Sequence, residues 1–252
     1  MSKLANKVAL VTGSSRGIGA AIAKTFAREG ARVVIHGRDR EALSSVRDAI
    51  ARDGASVLEV NGDVTRFDDI EAMRATIENA FGPVEIVVAN AGGSFTPPAP
   101  LEEIPIEGWR ASVEGNLTAT FLTLKAFLPA MKQRGSGTII TLSSTAGRRP
   151  HPMSPIPYGA AKAAVQMLTQ HLAMQVGPRG IRVNCIAPAT ILTERNEQRI
   201  PAAQRTSLVE MHPLRRLGTP DDVAETALFL ASDASGWITG QIIDVAGGYV
   251  MV

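Results

Sequence analysis

The chain has 252 residues, of which 45% are hydrophobic and 20% charged, with a formal net charge of +2. These values fit one large globular domain and exclude a disordered chain, while two full domains would be cramped. Near-balanced charge without a dense Lys/Arg block excludes a nucleic-acid-binding protein, and the Arg148-Arg149 and Arg215-Arg216 doublets read as solvated loop charges.

Residues 8–11, VALV, form an apolar run long enough for a buried strand and too short for a globular helix. Gly13, Gly17 and Gly19 come next, and then Ala20, Ile22, Ala23, Phe26 and Ala27 place an apolar face on a helix. Three glycines in seven residues exceed what a simple turn needs. They permit positive φ and let a phosphate approach backbone N–H groups where a helix N-terminus adds favourable partial charge. Strands are expected at 32–35, 56–60 and 84–89, with helices at 41–52 and 68–80 between them. Such alternation implies parallel βαβ units with ligands outside the carboxyl ends of the strands. Those ends carry His36-Gly37-Arg38, Asp63-Val64 and Asn90-Ala91-Gly92.

Pro97, Pro98 and Pro100 make the next stretch a loop, and one long helix is predicted over about 107–132, with Trp109, Phe121 and Phe127 at core-like spacing and Asn116 in its middle. A fifth strand, 138–142, ends in Ser143-Ser144. After the proline-rich loop 148–157, Tyr158 and Lys162 open a helix reaching about 177. The strand 181–186 leads into Ala187-Pro188 and a long polar segment to Leu217; a helix over about 220–232 and a strand at 241–245 close the chain. The fold class is α/β, a single domain over 1–252 with a doubly wound parallel sheet of about seven strands flanked by helices on both faces.

The stretched turn Thr12-Gly13-x-x-x-Gly17-x-Gly19 resembles the cofactor turn of the classical short-chain dehydrogenase/reductase family, and the resemblance extends over nearly the whole chain. The pattern Trp109-x(6)-Asn116, Ser144 at a strand end, and Tyr158-x-x-x-Lys162 look like that family's Asn-Ser-Tyr-Lys tetrad. A Rossmann-type fold and an NAD(P)-dependent oxidoreductase of ketones and secondary alcohols are thereby implied. Tyr158 would be general acid in reduction and base in oxidation, with Ser144 bonding the substrate oxygen. Lys162 would lower the tyrosine pKa and bind the nicotinamide ribose, and Asn116 would anchor a water in a proton relay. Ser143 is the rival for the serine role. Gly13, Ser15, Arg16, Gly17, Ile18 and Gly19 would cradle the cofactor; Asp63 would contact its adenine, with Val64 beside it, and Asn90, Ala91 and Gly92 would support the central strand along it. Pro188, Ile191 and Thr193 match the family positions near the cofactor amide, although Ala189 stands where the family has glycine.

Tyr158 and Lys162, four residues apart, share a helix face. A tyrosine titrates near ~10, and bringing it to ~7 takes roughly 4 kcal/mol. One ammonium at about 5 Å supplies about 3 kcal/mol at an effective dielectric near 20, so the lysine is expected to do most of this. Cofactor preference is read from Gly37, where an NAD-specific site carries a carboxylate, and from Arg38 and Arg16, which match basic positions of NADP enzymes. NADP(H) is expected over NAD(H), with Asp39 the complication, since it could neutralise Arg38 or reach the ribose.

The pattern stands nearest the 3-oxoacyl-acyl-carrier-protein reductases, whose acidic partner is met by two basic positions; Arg134 matches one, and Met174 occupies the other. Poor use of a carrier thioester is expected. A homotetramer is implied by the resemblance and by apolar Phe229, Leu230, Trp237, Ile238, Tyr249 and Val250 near the C-terminus. Scattered His36, His151, His171, His212 and Cys185 lack metal-ligand spacing, so no metal is expected, and Cys185 reads as a buried inert thiol. No apolar run approaches 18 residues and MSKLANK leaves no room for a signal peptide, so the expectation is a cytoplasmic protein that meets no membrane. No nucleophile elbow G-x-S-x-G suggests a hydrolase. Sugar-nucleotide epimerases share Tyr-x-x-x-Lys but have a separate substrate domain for which this length leaves no room. A non-catalytic dinucleotide sensor remains the alternative of a different class. Substrate choice is assigned to the loops 94–105 and 148–157 and to 194–213, within a substrate lid over about 190–217.

Overall fold

A computed structural model describes residues 2–251. Seven strands form one parallel sheet: β1 (Val8–Val11), β2 (Arg32–Gly37), β3 (Val57–Asn61), β4 (Ile86–Ala89), β5 (Gly137–Leu142), β6 (Ile181–Pro188) and β7 (Ile242–Val245). Their spatial order is β3-β2-β1-β4-β5-β6-β7, so the order reverses between β1 and β4. At such a reversal the crossover connections leave on opposite faces and open a crevice beyond the strand ends. Apolar residues cover both faces because each strand alternates its side chains. Ala9, Val11, Val33 and Ile35 pack with α1 (Gly17–Arg28) and α9 (Pro220–Ala231) on one face. Val8, Leu10, Val34 and Val87 pack on the other with α3 (Phe67–Phe81), α5 (Ala119–Arg134) and α6 (Ile156–Val176). Helix α2 (Arg40–Arg52) covers β2 and β3 and starts on Asp39, whose carboxylate accepts from Ala42 N at 3.1 Å.

Two departures from the sequence expectation bear on function. The predicted long helix is interrupted: α4 (Ile106–Val113) passes through one π-helical turn, Glu114–Thr118, into α5. The extra residue of a π turn shifts the facing of the side chains around it, and here Asn116 is carried inward, fully buried. The polar segment after β6 also contains two helices, α7 (Glu194–Arg199) and α8 (Ala202–Met211). Thr193 caps α7 by accepting from Asn196 N at 3.3 Å, and neither helix has a buried residue, so no apolar periodicity marks them. Strand β6 runs two residues past its apolar stretch, pairing Ala187 and Pro188 with Asp244 and Val245.

At the C-terminal end, Leu230 and Val250 belong to the core, while Phe229 and Trp237 face solvent. Cys185 is completely buried. No helix among the described residues is long and apolar enough to cross a membrane. No cluster of three His, Cys, Asp or Glu among them is arranged to hold a metal ion.

Candidate active site

A cleft of about 1410 Å³ runs over the carboxyl ends of β1, β2, β4, β5 and β6. That exceeds the roughly 300–1,000 Å³ of a pocket for one drug-sized ligand, which leaves room for a dinucleotide and a second molecule. Gly13, Ser15, Arg16, Gly17, Ile18, Gly19, Arg38, Asp63, Val64, Asn90, Ala91, Gly92, Ser144, Tyr158, Lys162, Pro188, Ile191 and Thr193 all line it, so the sequence-predicted residues come together with one exception, Asn116.

The turn after β1 is shaped for close approach. Gly13 has φ +64°, and a Cβ there would lie 2.9 Å from the Ala91 Cα; a Cβ on Gly19 would lie 2.4 Å from the Gly13 carbonyl oxygen. Only glycine fits both places. The turn is tied to the end of β4 from two sides: the Thr12 hydroxyl accepts from the backbone N–H of Asn90 and of Ala91, each at 3.1 Å. In return the Asn90 amide donates to the carbonyls of Thr12 at 2.8 Å and Gly13 at 3.0 Å. A backbone cradle opening on a helix N-terminus, in a cleft of this size, fits the diphosphate of a nicotinamide dinucleotide.

His36, which sequence reasoning treats only as a strand-end residue, braces the same turn from below. Its Nδ1 accepts from Gly13 N at 3.1 Å, so the ring proton sits on Nε2 and is donated to the Gly62 carbonyl at 3.1 Å. Burial holds its pKa below the ordinary value and keeps the ring neutral. The Asp63 carboxylate is held below the usual range chiefly by the Thr65 N–H it accepts at 2.9 Å. Asp39 pairs with Arg16 and not with Arg38, and Arg38 forms no ion pair among the described residues.

At the other end of the cleft the two serines separate. Ser143 is fully engaged, donating to the Lys162 carbonyl at 2.8 Å and accepting from Gln166 Nε2 at 2.8 Å. Ser144 faces the cleft, accepts from the Ala146 N–H at 3.2 Å, donates only a long bond to the Pro188 carbonyl at 3.4 Å, and is the hydroxyl that lowers the Tyr158 pKa. Asn116 lies buried behind the lining of the cleft, and its side chain is taken up by backbone groups. Its Oδ1 accepts from Gly93 N at 3.0 Å, and its amide donates to the carbonyls of Gly93 at 2.9 Å and Ser112 at 2.8 Å. With both amide hydrogens bound to backbone, the side chain positions the loop after β4.

The electrostatics also differ from the expectation. Burial is the largest influence on Tyr158 and raises its pKa, with Ser144 and Arg195 pulling the other way. Burial likewise brings Lys162 down to about 8, and its Nζ donates to the Leu142 carbonyl at 2.7 Å, 5.7 Å from the centre of the tyrosine ring. The simple Coulomb sum assumed a fully charged lysine and left out desolvation, which opposes the charged form of both groups in one dry corner. Arg195, inside the segment read as polar loop, is a second residue the sequence did not single out.

A family model described as Enoyl-(Acyl carrier protein) reductase matches residues 13–250. The chain belongs to the short-chain dehydrogenase/reductase family. It is 38% identical over 248 residues to the 3-oxoacyl-[acyl-carrier-protein] reductase of Chlamydia muridarum, covering 98% of each chain. It superimposes with a TM-score of 0.93 on a 7α-hydroxysteroid dehydrogenase complexed with NADH and 7-oxo glycochenodeoxycholic acid, at 35% identity over 98% of this chain and 95% of that one. A gluconate 5-dehydrogenase from Burkholderia cenocepacia, in complex with NADP and tartrate, superimposes at 0.91 with 33% identity over 98% and 96%. Members of this family bind a nicotinamide dinucleotide and interconvert alcohols and ketones, and this protein is a dehydrogenase/reductase of that kind.

The buried lysine makes a stability prediction with a definite sign. Between pH 8 and 10 Lys162 is losing its proton in the folded state while the unfolded chain, with a pKa of 10.5, keeps it. The unfolded state therefore binds more protons, and stability rises with pH through this window. Relative to Lys162→Met, the wild-type unfolding free energy should gain on the order of 2–3 kcal/mol from pH 8 to 10, read by urea denaturation at each pH. A flat difference would show that the lysine is not desolvated.

Proposed function

We propose that the protein is an NADP(H)-dependent oxidoreductase that interconverts a free ketone and a secondary alcohol, with Tyr158 transferring the proton. The observation that carries this reading is the corner formed by Ser144, Tyr158 and Lys162 at one end of a cleft whose other end is the glycine turn. The bound nucleotide supplies or takes up the hydride at its nicotinamide C4. Ser144, the serine whose hydroxyl donates only a long bond, orients the substrate oxygen. Tyr158, kept neutral by burial, donates its proton to that oxygen as negative charge develops on it. Lys162 lies beneath the tyrosine, its Nζ 5.7 Å from the ring centre. Reduction is therefore favoured near neutral pH, and oxidation, which needs the tyrosine deprotonated, rises with pH.

Within the substrate lid over 190–217, α7 borders the substrate side, where side chains of 94–105 and 148–157 also reach the cleft. A carrier-protein thioester suits this chain poorly. Met174, at one of the two positions where a base would meet an acidic carrier, is exposed. Arg134, at the other, is turned onto the carbonyls of Val84 and Ser136. A non-catalytic sensor would bind the nucleotide but oxidise none of it with any ketone.

Tyr158→Phe is expected to lower kcat at least a thousandfold in a ketone-dependent NADPH oxidation assay while leaving nucleotide affinity within a few-fold, because the ring still fills its place. Retention of a tenth of the activity would rule Tyr158 out as proton donor.

For the nucleotide, Arg38 is open toward solvent beside the cleft, whereas Arg16 already has Asp39 as partner. A charged hydrogen bond to a 2′-phosphate is worth ~1.5–3 kcal/mol, so a preference for NADPH of roughly tenfold or more rests on Arg38. A carboxylate introduced at Gly37 would meet the Ser15 Cβ at 3.0 Å from its own Cβ, so the test is made at the arginines. Arg38→Ala should erase most of the NADPH-over-NADH ratio in kcat/KM, and Arg16→Ala less of it. Equal efficiency with both nucleotides in the wild type would contradict the assignment.

A homotetramer is the assembly in keeping with exposed Phe229 and Trp237 beside the last helix and strand. Light scattering at micromolar concentration should give four times the chain mass; a monomer mass would refute it.

A further inference from the structure

We propose that Arg195 seats a carboxylate on the substrate, so that the carbonyl compounds this protein acts on carry an acid group. The proposal deepens the reading of Tyr158 as the site of proton transfer and rests on it. Helix α7 delivers Arg195 to that corner. Its first turn is fixed by the Thr193 cap and by Asn196 Nδ2, which donates to the Ile191 carbonyl at 2.8 Å. The guanidinium lies against the loop after β4: Nη2 donates to the Ser94 carbonyl at 3.4 Å, and Nη1 is 3.2 Å from where a Cβ on Gly93 would sit. It is close enough to Tyr158 that its charge lowers the tyrosine pKa.

This cation has no counter-charge. No carboxylate among the described residues lies within ion-pair distance of Arg195 or of Arg199, one helical turn on, and both arginines line the cleft. Two acids line the same region without answering them. Glu114 is exposed on the π turn, and Glu194 faces the glycine turn, with Oε2 3.9 Å from where a Cβ on Gly17 would sit. Burial first, and then repulsion by Arg199, hold the Arg195 pKa below the ordinary arginine value, the mark of a charge short of compensation. A planar guanidinium with its long bond to Ser94 as the sole hydrogen bond found for it presents free N–H groups that match a carboxylate in two-point contact. Thr193 and Glu194 sit against the glycine turn, where Arg16 and Arg38 also stand for the nucleotide's phosphates, whereas the Arg195 side chain reaches away to Ser94 and the Tyr158 corner, so the anion it faces is assigned to the second molecule, next to the carbonyl that Ser144 and Tyr158 engage.

The test pairs each keto acid with its neutral ester. Acetoacetate, 4-oxopentanoate and 5-oxohexanoate, each against its methyl ester, are titrated into the NADPH complex by nucleotide fluorescence and assayed for NADPH oxidation. In the wild type at least one acid should bind and turn over at least tenfold better than its ester. Arg195→Gln should lower the acid-over-ester ratio in binding and in kcat/KM by ~10–100-fold, the range for a hydrogen bond to a charged partner, while the affinity for the ester and the KM for NADPH stay within a few-fold. Arg195→Lys should restore part of it. Esters served as well as acids across the series would overturn the proposal. So would an Arg195→Gln variant that loses acid and ester equally, or that raises the KM for NADPH, since the arginine would then hold the lid or a nucleotide phosphate. If acids bind in preference to esters but no ketone oxidises NADPH, the carboxylate seat stands and the catalytic reading falls.

Discussion

Beyond the carboxyl end of a parallel strand the backbone loses its ladder partners, and at the centre of this sheet the Thr12 hydroxyl takes their place. It accepts the N–H groups of Asn90 and Ala91, and Asn90 answers with its side chain on the carbonyls of Thr12 and Gly13. Each buried donor left without an acceptor would cost ~1–3 kcal/mol, so the turn after β1 and the loop after β4 behave as one piece. The same loop continues to Gly93, whose N–H and carbonyl are both taken by Asn116, and Asn116 in turn holds the Ser112 carbonyl in α4, which packs against α6. Hydrogen bonds thus run from the glycine turn to α4, and packing of α4 on α6 carries the connection to the helix that holds Tyr158 and Lys162. The π turn is what lets Asn116 reach inward to complete it.

The corner around Tyr158 is governed by withheld solvation. Lys162 is buried on the Leu142 carbonyl, burial raises the Tyr158 pKa, and of the two serines that line the cleft Ser143 is locked by Lys162 and Gln166 while Ser144 is held only by longer bonds. Burial raises the Tyr158 pKa and brings Lys162 down to about 8, so both groups are shifted toward their neutral forms in this corner. His36 applies the same logic to the other end. A neutral ring can accept from Gly13 and donate to Gly62 at once, which a protonated ring cannot do.

Buried parallel strands read as short apolar runs, which is why all seven strands and the glycine turn were legible in the chain. The features that escaped detection did so for physical reasons. Helices α7 and α8 bury no side chain, so nothing in their periodicity distinguishes them from loop, and Arg195 was hidden with them. Trp109 and Phe121 prove exposed and only Phe127 is buried, so the apolar spacing that suggested one continuous helix does not mark its buried face and gave no sign of the π turn that aims Asn116 inward. The bracing by His36 joins residues 23 and 26 positions away, a matter of tertiary packing alone. The tyrosine–lysine pair was legible as a constellation, but its pKa values were not, because they depend on how much water the fold removes.

If the glycine-turn end and the Tyr158 end form one reaction site, nucleotide and carbonyl meet there directly. The most direct measurement is isotope transfer from NADPH deuterated at C4 on each face in turn, with a ketone reduced by the wild-type protein. A single site predicts one deuterium on the carbinol carbon per turnover from one labelled face and none from the other. Deuterium released to water, or carried equally from both faces, would contradict it.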